Sequence, residues 1–414
     1  MERVKSIISA HRQLVISVVL AAGIFTLWRL FYPHLLLARE QSQLFLCNTE
    51  YLGERLGEPG GLARYIGEGI VQFFIYPRYG ALLYALLFIA IVWLTWRLLK
   101  KKGEKLKLKG NLLALIPALL LVYCWTNPEI PMTPTIAVVL SLVVMNLIRP
   151  LSHRWSLTAT AVAMPLGYWL AGPAIVLVAL YHLRFLCKEK GQRRSVTLGW
   201  TAAFIVLLVA CIFVSGRMVP YPTRQLFSGI DYRWESGKIG TTEEMAYDRL
   251  LRQQDWAGIS EKAYKKMPQS PAVQNMVQFA RFRLGEIEQR ELPMVMQYGG
   301  NVLSSEASAF IMSEIYLHMG WSNMSQRTAF EAMEAIPNCN KSGRSLQRLV
   351  ETNIITGNYD VALKYLSILE ETLFYDSWVK KVKPLAEHPQ RIKEHPLYYP
   401  LQKKFFASKD AFFY

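Results

Sequence analysis

Aspartate is missing from the first half of this chain: residues 1–214 contain nine Glu and no Asp. Histidine is scarce, with seven in 414 residues, and no two stand at ligand spacing on a helix. The five cysteines, Cys47, Cys124, Cys187, Cys211 and Cys339, form no CxxC pair. That spacing argues against zinc and dithiol redox sites and leaves isolated small apolar side chains. There is no GxxxxGK[ST], HExxH or GxSxG, and no GxGxxG following a strand, so the common nucleotide, metalloprotease and serine-hydrolase signatures are out. No metal and no cofactor are expected.

A nucleic-acid role is also disfavoured, despite the formal net charge of +16. Residues 1–214 hold 22 Lys and Arg against nine Glu, whereas residues 215–414 hold 25 against 22 acids. The excess sits in short segments beside apolar runs, as it does at the cytoplasmic ends of membrane spans, rather than on one basic face.

What the chain does have is apolar length. Its mean hydropathy is +0.16 and 52% of its residues are hydrophobic. The apolar residues come in runs of about 18–22, enough to cross a hydrocarbon core of about 30 Å. Spans are expected near 14–32, 80–98, 111–126, 134–149 and 196–214. The basic N-terminus, with no convincing cleavage site after the first run, reads as an uncleaved first span with a cytoplasmic start. Trp28 and Tyr32 are expected at its outer interface. Leu157 to Phe185 has Pro165, Gly167, Gly172 and Pro173 in its middle, which suits one long broken span or a tight hairpin of two short ones, and the basic flanks on both sides favour the hairpin. Seven spans then keep all nine Lys of residues 1–214 inside and carry residues 215–414 outside, the periplasm in a bacterium.

After a linker over 215–240 the periodicity becomes that of amphipathic helices, near 241–254, 256–267, 271–285, 304–319, 322–336, 342–356 and 359–372. Thr241-Thr242-Glu243-Glu244 reads as a capping box. Leu284-Gly285, Met319-Gly320 and Thr356-Gly357 end three helices alike. Their spacing is close to the tetratricopeptide period, and Pro268 and Pro337 close two of the helices that follow such an end or pair with it. The expectation is an all-α protein: a polytopic transmembrane helical domain over 1–214, a TPR-like helical-repeat domain over 241–382, and a tail over 383–414.

The acids of the membrane half collect in the first outer loop, 33–79. An amphipathic helix is expected over 62–77, with Leu62, Tyr65, Ile66, Ile70, Phe73 and Phe74 on one face and Arg64, Glu68 and Gln72 on the other, lying in the outer interface. Glu40, just past a span, is the candidate general base. Arg39, Arg64 and Arg78 are the candidates for holding a lipid phosphate.

This layout resembles the GT-C class of membrane glycosyltransferases, whose first outer loop carries an acidic catalytic residue. Glu40 matches that pattern by position. The resemblance implies transfer from a polyprenyl-phosphate-linked sugar. Arg39-Glu40-Gln41-Ser42-Gln43-Leu44-Phe45, Glu58-Pro59-Gly60-Gly61-Leu62, and Gly357-Asn358-Tyr359 leading to Phe374-Tyr375-Asp376-Ser377-Trp378 more closely resemble an uncharacterised family of Bacteroidota multi-pass membrane proteins with TPR-like C-terminal regions. Two functions are therefore expected of this chain. One is an inner-membrane scaffold in cell-envelope assembly that binds a protein partner through its repeat domain. The alternative is a GT-C-like transferase. Span centres without ionisable residues disfavour a transporter.

Overall fold

The computed structural model describes residues 2–100, 108–186, 194–235, 239–336 and 340–408. The basic loop residues Lys101, Lys102, Lys188, Lys190 and Arg193, together with Cys187, Pro337 and Cys339, lie outside them. Among the described residues there is no strand. The helices run in the order α1 (Glu2–Thr26), α2 (Pro33–Gln41), α3 (Thr49–Leu56), α4 (Gly61–Gln72), α5 (Pro77–Leu99), α6 (Leu108–Trp125), α7 (Thr133–Ile148), α8 (His153–Ala171), α9 (Val176–Leu186), α10 (Arg194–Met218) and α11 (Thr223–Ser228). They continue with α12 (Thr242–Arg252), α13 (Trp256–Lys265), α14 (Pro271–Arg283), α15 (Leu292–Val295), α16 (Glu306–Met319), α17 (Ser322–Glu334), α18 (Gly343–Thr356), α19 (Tyr359–Glu370), α20 (Asp376–Glu387) and α21 (Tyr398–Ser408).

The chain forms two compact units. Residues 1–32 and 49–234 make the first; residues 33–48 and 235–414 make the second. The loop expected as one piece over 33–79 is thus divided, with Pro33–Asn48 built into the second unit.

In the first unit four stretches are long and apolar enough to cross a membrane: Leu14–Phe31, Pro77–Leu99, Trp155–Leu183 and Gly199–Met218. Gly110–Trp125 and Thr133–Ile148 are shorter apolar helices. The segment expected to turn back is broken at Gly172, whose φ of 70° suits a residue without a Cβ. Beyond that break α9 packs against α7, α8 and α10. Trp28 is not an interfacial anchor. It sits in a π-helical turn, Leu27–Phe31, fully buried against Tyr84 at 4.7 Å between ring centroids. Tyr84 in turn stacks on Trp125 at 4.4 Å, and the Trp125 indole donates to Thr135 Oγ1 over 2.9 Å. Two indoles and a phenol pack better here than at a wet boundary because their large apolar area is removed from contact with both water and lipid.

The second unit is a helical array in which α16, α17, α18, α19 and α20 each pack on the next. Its start is the capping box read from the sequence: Thr241 Oγ1 accepts from the Glu244 amide at 3.1 Å, and Glu244 Oε2 accepts from the Thr241 amide at 2.8 Å. Three helices close identically. Gly285, Gly320 and Gly357 have φ of 79°, 80° and 86°, and the next amide in each case bonds the carbonyl five residues back: Glu286 to Arg281, Trp321 to Tyr316, Asn358 to Asn353. That is the Schellman closure, which satisfies carbonyls left over at a helix end. After Gly320 and Gly357 the next helix starts at once, whereas after Gly285 only the short α15 and a 3₁₀ turn, Gly300–Leu303, intervene. The tail packs back on the array. In α21, Tyr398 Oη donates to Glu351 and Gln402 Nε2 to the Ile354 carbonyl, at 3.0 and 3.2 Å, and Lys404 Nζ donates to the Met319 carbonyl.

Candidate functional site

Glu40 lies near the end of α2, and almost all of α2 is buried in the second unit. The helix continues into buried chain, Ser42 to Phe45, whose backbone is pinned where Leu44 donates to Lys341 O at 2.9 Å and Cys47 to Glu371 O at 2.7 Å. Glu40 Oε1 accepts from Tyr375 Oη at 2.6 Å. Gly343 makes room for that phenol: a Cβ there would lie 2.5 Å from the Tyr375 ring. Burial raises the Glu40 pKa, while the Arg252 charge, the Tyr375 bond and the Arg344 charge work in the opposite direction. Glu40 Oε2 meets no hydrogen-bond partner among the described residues.

Two more carboxyls lie beside the segment. Arg344 holds both oxygens of Asp248 at 2.8 and 2.9 Å and reaches Gln41 Oε1 at 3.2 Å. Ser42 Oγ lies 2.9 and 3.0 Å from the two oxygens of Glu306. Burial pushes the Glu306 pKa up to about 8, against the Ser42 bond and the Arg344 charge and with help from Asp248. His34, at the start of α2, goes the other way, down to about 4, through burial and the charges of Lys262 and Arg249. His34, Gln41, Asp248 and Glu306 border a cavity of about 10 Å³, which is room for one water and not for a sugar or a lipid head.

The other candidates lie elsewhere. Arg39 is buried in the second unit. Arg64 belongs to the first, where it is surrounded by acids: Glu58 at 2.6 Å, Glu68 at 2.9 Å and Asp231 at 3.9 Å. Each of those acids has further partners. Tyr221 donates to Glu58; Arg55 and Tyr51 donate to Glu68; Thr133 and Trp234 donate to Asp231. All six carboxylate oxygens are therefore satisfied, and the Arg64 fork is committed to protein carboxylates. Arg78 is exposed at the start of α5, with its guanidinium 4.7 Å from the centre of the Tyr79 ring.

This cluster reverses the expected orientation of the amphipathic helix. In α4 the polar face of Arg64, Glu68 and Gln72 is buried, and Leu62, Tyr65, Ile66 and Ile70 are the half-exposed side. An apolar face turned outward is stable only where the surroundings are themselves apolar. Asp231 was not anticipated as a member of the cluster. The one sign of it in the sequence is that it is the sole acid between Arg217 and Trp234. Among the described residues no three of His, Cys, Asp and Glu are grouped so as to hold a metal ion.

The family described as a family of unknown function (DUF6057) matches residues 8–414. The chain belongs to that family. No curated protein and no solved structure matches it.

Proposed function

We propose that this member of the family is a seven-span bacterial inner-membrane protein whose TPR-like second unit stands on the outer side and binds a protein partner in cell-envelope assembly. The observation that carries the scaffold reading is the use made of the first loop's polar residues. Glu40, Gln41 and Ser42 are spent on joining Pro33–Asn48 to the helical array, and the cavity that Gln41 borders admits only a water. The three Schellman closures at near-equal spacing support a repeat.

Two independent observations support seven crossings. First, Pro33–Asn48 follows the first span and is part of the same unit as residues 235–414, so both lie on one side of the membrane. An even number of crossings must separate them. That holds if α8 and α9 cross separately, and fails if Trp155–Leu183 crosses once. Second, Trp169 near the end of α8 bonds Leu56 O and Gly60 N, and Tyr232 beyond α10 bonds the Ala171 carbonyl. The end of α8 therefore shares a side with the end of α10, and the chain has to return through α9 before α10 begins. By the positive-inside rule the Lys-rich short segments of the sequence support a cytoplasmic placement of the other side.

The GT-C-like alternative, with Glu40 as base and a lipid-linked sugar as substrate, finds less support, because the Glu40 carboxyl is engaged and enclosed. The test pairs a topology readout with a functional one. Cys47 is exposed. In a variant retaining Cys47 alone, a membrane-impermeant thiol reagent should label intact spheroplasts; labelling only after lysis overturns the outer placement. A photo-crosslinking residue at Tyr264, which is 94% exposed, should give a discrete adduct that survives Glu40→Gln. Loss of the host phenotype in a Glu40→Gln variant inserted at normal level would instead favour catalysis.

A further inference from the structure

At the outer end of α10 the chain turns back and lays α11 along it. The fit is specific. Leu226 is buried next to Gly216, where a Cβ would lie 3.4 Å from Leu226 Cδ1, and Tyr168 Oη of α8 donates to the Leu226 carbonyl over 2.8 Å. Between the two helices runs an apolar groove of about 320 Å³. It is lined by buried Ile212, by Val209, Phe213 and Phe227, and by the polar Thr223 and Arg224 at the start of α11. Only 17% of the apolar window of α10 is buried within the protein, so hydrocarbon is the medium that reaches this groove in a membrane.

The charge on the lining is of one sign. Arg224 and, on the last turn of α10, Arg217 are both exposed, and among the described residues no acidic side chain pairs with either. The sole acid of this stretch, Asp231, is taken up by Thr133, Trp234 and Arg64. Unpaired arginines on the side of the membrane where lysine is absent from the spanning half are not explained by insertion topology. They match a phosphate, which a guanidinium can hold through two parallel bonds.

We propose that this groove is a binding site for an anionic phospholipid, with one acyl chain between Phe213 and Phe227 and the phosphate on Arg224. The inference rests on the membrane-spanning reading of the first unit.

The experiment uses the full chain, purified in detergent and offered equal amounts of phosphatidylglycerol and phosphatidylcholine, with retained lipid counted by native mass spectrometry. A cation near the headgroup contributes about 1 kcal/mol, so phosphatidylglycerol should be retained about fivefold over phosphatidylcholine. Arg224→Gln should bring the ratio to near unity while lipid is still retained; Arg224→Lys should keep most of it. Val209→Trp, which fills the groove and leaves the charge, should remove the retained lipid. Both positions are exposed, and circular dichroism checks that each variant keeps its helices. A wild-type protein that shows no headgroup preference, or variants that leave the preference unchanged, would overturn the site. A protein that retains no lipid and stays monodisperse without detergent would overturn the membrane reading itself.

Discussion

The phenol of Tyr375 donates to the carboxyl of Glu40 across 335 residues of sequence, at 2.6 Å and out of reach of solvent. The bond joins a segment made just after the first span to the turn before α20. Tyr375→Phe removes the donor and leaves a buried acceptor unmet, a cost of about 1–3 kcal/mol. Glu40→Gln keeps an acceptor of the same shape and should cost less. Thermal unfolding midpoints of the purified full chain should therefore fall in the order wild type, Glu40→Gln, Tyr375→Phe.

Gly343 offers a second probe of the same contact. A methyl group placed on it would meet the Tyr375 ring at 2.5 Å, and rigid cores resist such overpacking by about 1–3 kcal/mol. Gly343→Ala should lower the unfolding midpoint, and combining it with Tyr375→Phe should be less than additive, since both act on one contact.

Glu306 makes stability depend on pH. Its folded pKa of about 8 lies above the ordinary value of 4.5. The folded state keeps a proton that the unfolded chain releases, so this contribution is full below about 4.5 and is lost as pH rises through about 8. His34, lowered from 6.5 to about 4, acts at the other end. Its contribution is present above 6.5 and is lost as pH falls through about 4. Glu306→Gln should flatten the alkaline limb of the midpoint-against-pH curve and leave the acid limb in place. An unchanged alkaline limb would assign that loss to another group.

Arg64 and Arg78 should behave oppositely. Arg64→Ala leaves Glu58, Glu68 and Asp231 buried around a missing cation, a loss of about 3–5 kcal/mol. Arg78 is exposed, and Arg78→Ala should change stability by about 0.5 kcal/mol or less. Protease resistance of membrane-inserted protein separates the two.

The helices of the second unit were readable because their ends carry local chemistry. The Thr241 box, the Asp255 cap on Gly258 and the three glycine closures act within a few residues, and the expected bounds lie within about two residues of those observed. The face of α4 was misread for a physical reason. Period 3.6 separates Arg64, Glu68 and Gln72 from Leu62, Ile66 and Ile70, but it does not say which side meets the protein, and in an apolar medium that assignment inverts. Trp28 failed similarly: a tryptophan near a span end suits an interface or a core, and only the neighbours Tyr84 and Trp125 decide. The pairing of Glu40 with Tyr375 has no signature in sequence, and that of Arg64 with Asp231 has only the isolation of Asp231 as an acid, since nothing local marks partners that far apart.

That Pro33–Asn48 belongs to the second unit also sets an order in time. A ribosome adding about 5–20 residues per second reaches Glu235 on the order of ten seconds or more after Asn48. Through that interval the segment, with Glu40 and Arg39 on it, is already translated and has no array to enter. The second unit is thus completed only by its last-made helices, and a chain stopped before Tyr375 would keep Glu40 waiting for a partner that never arrives.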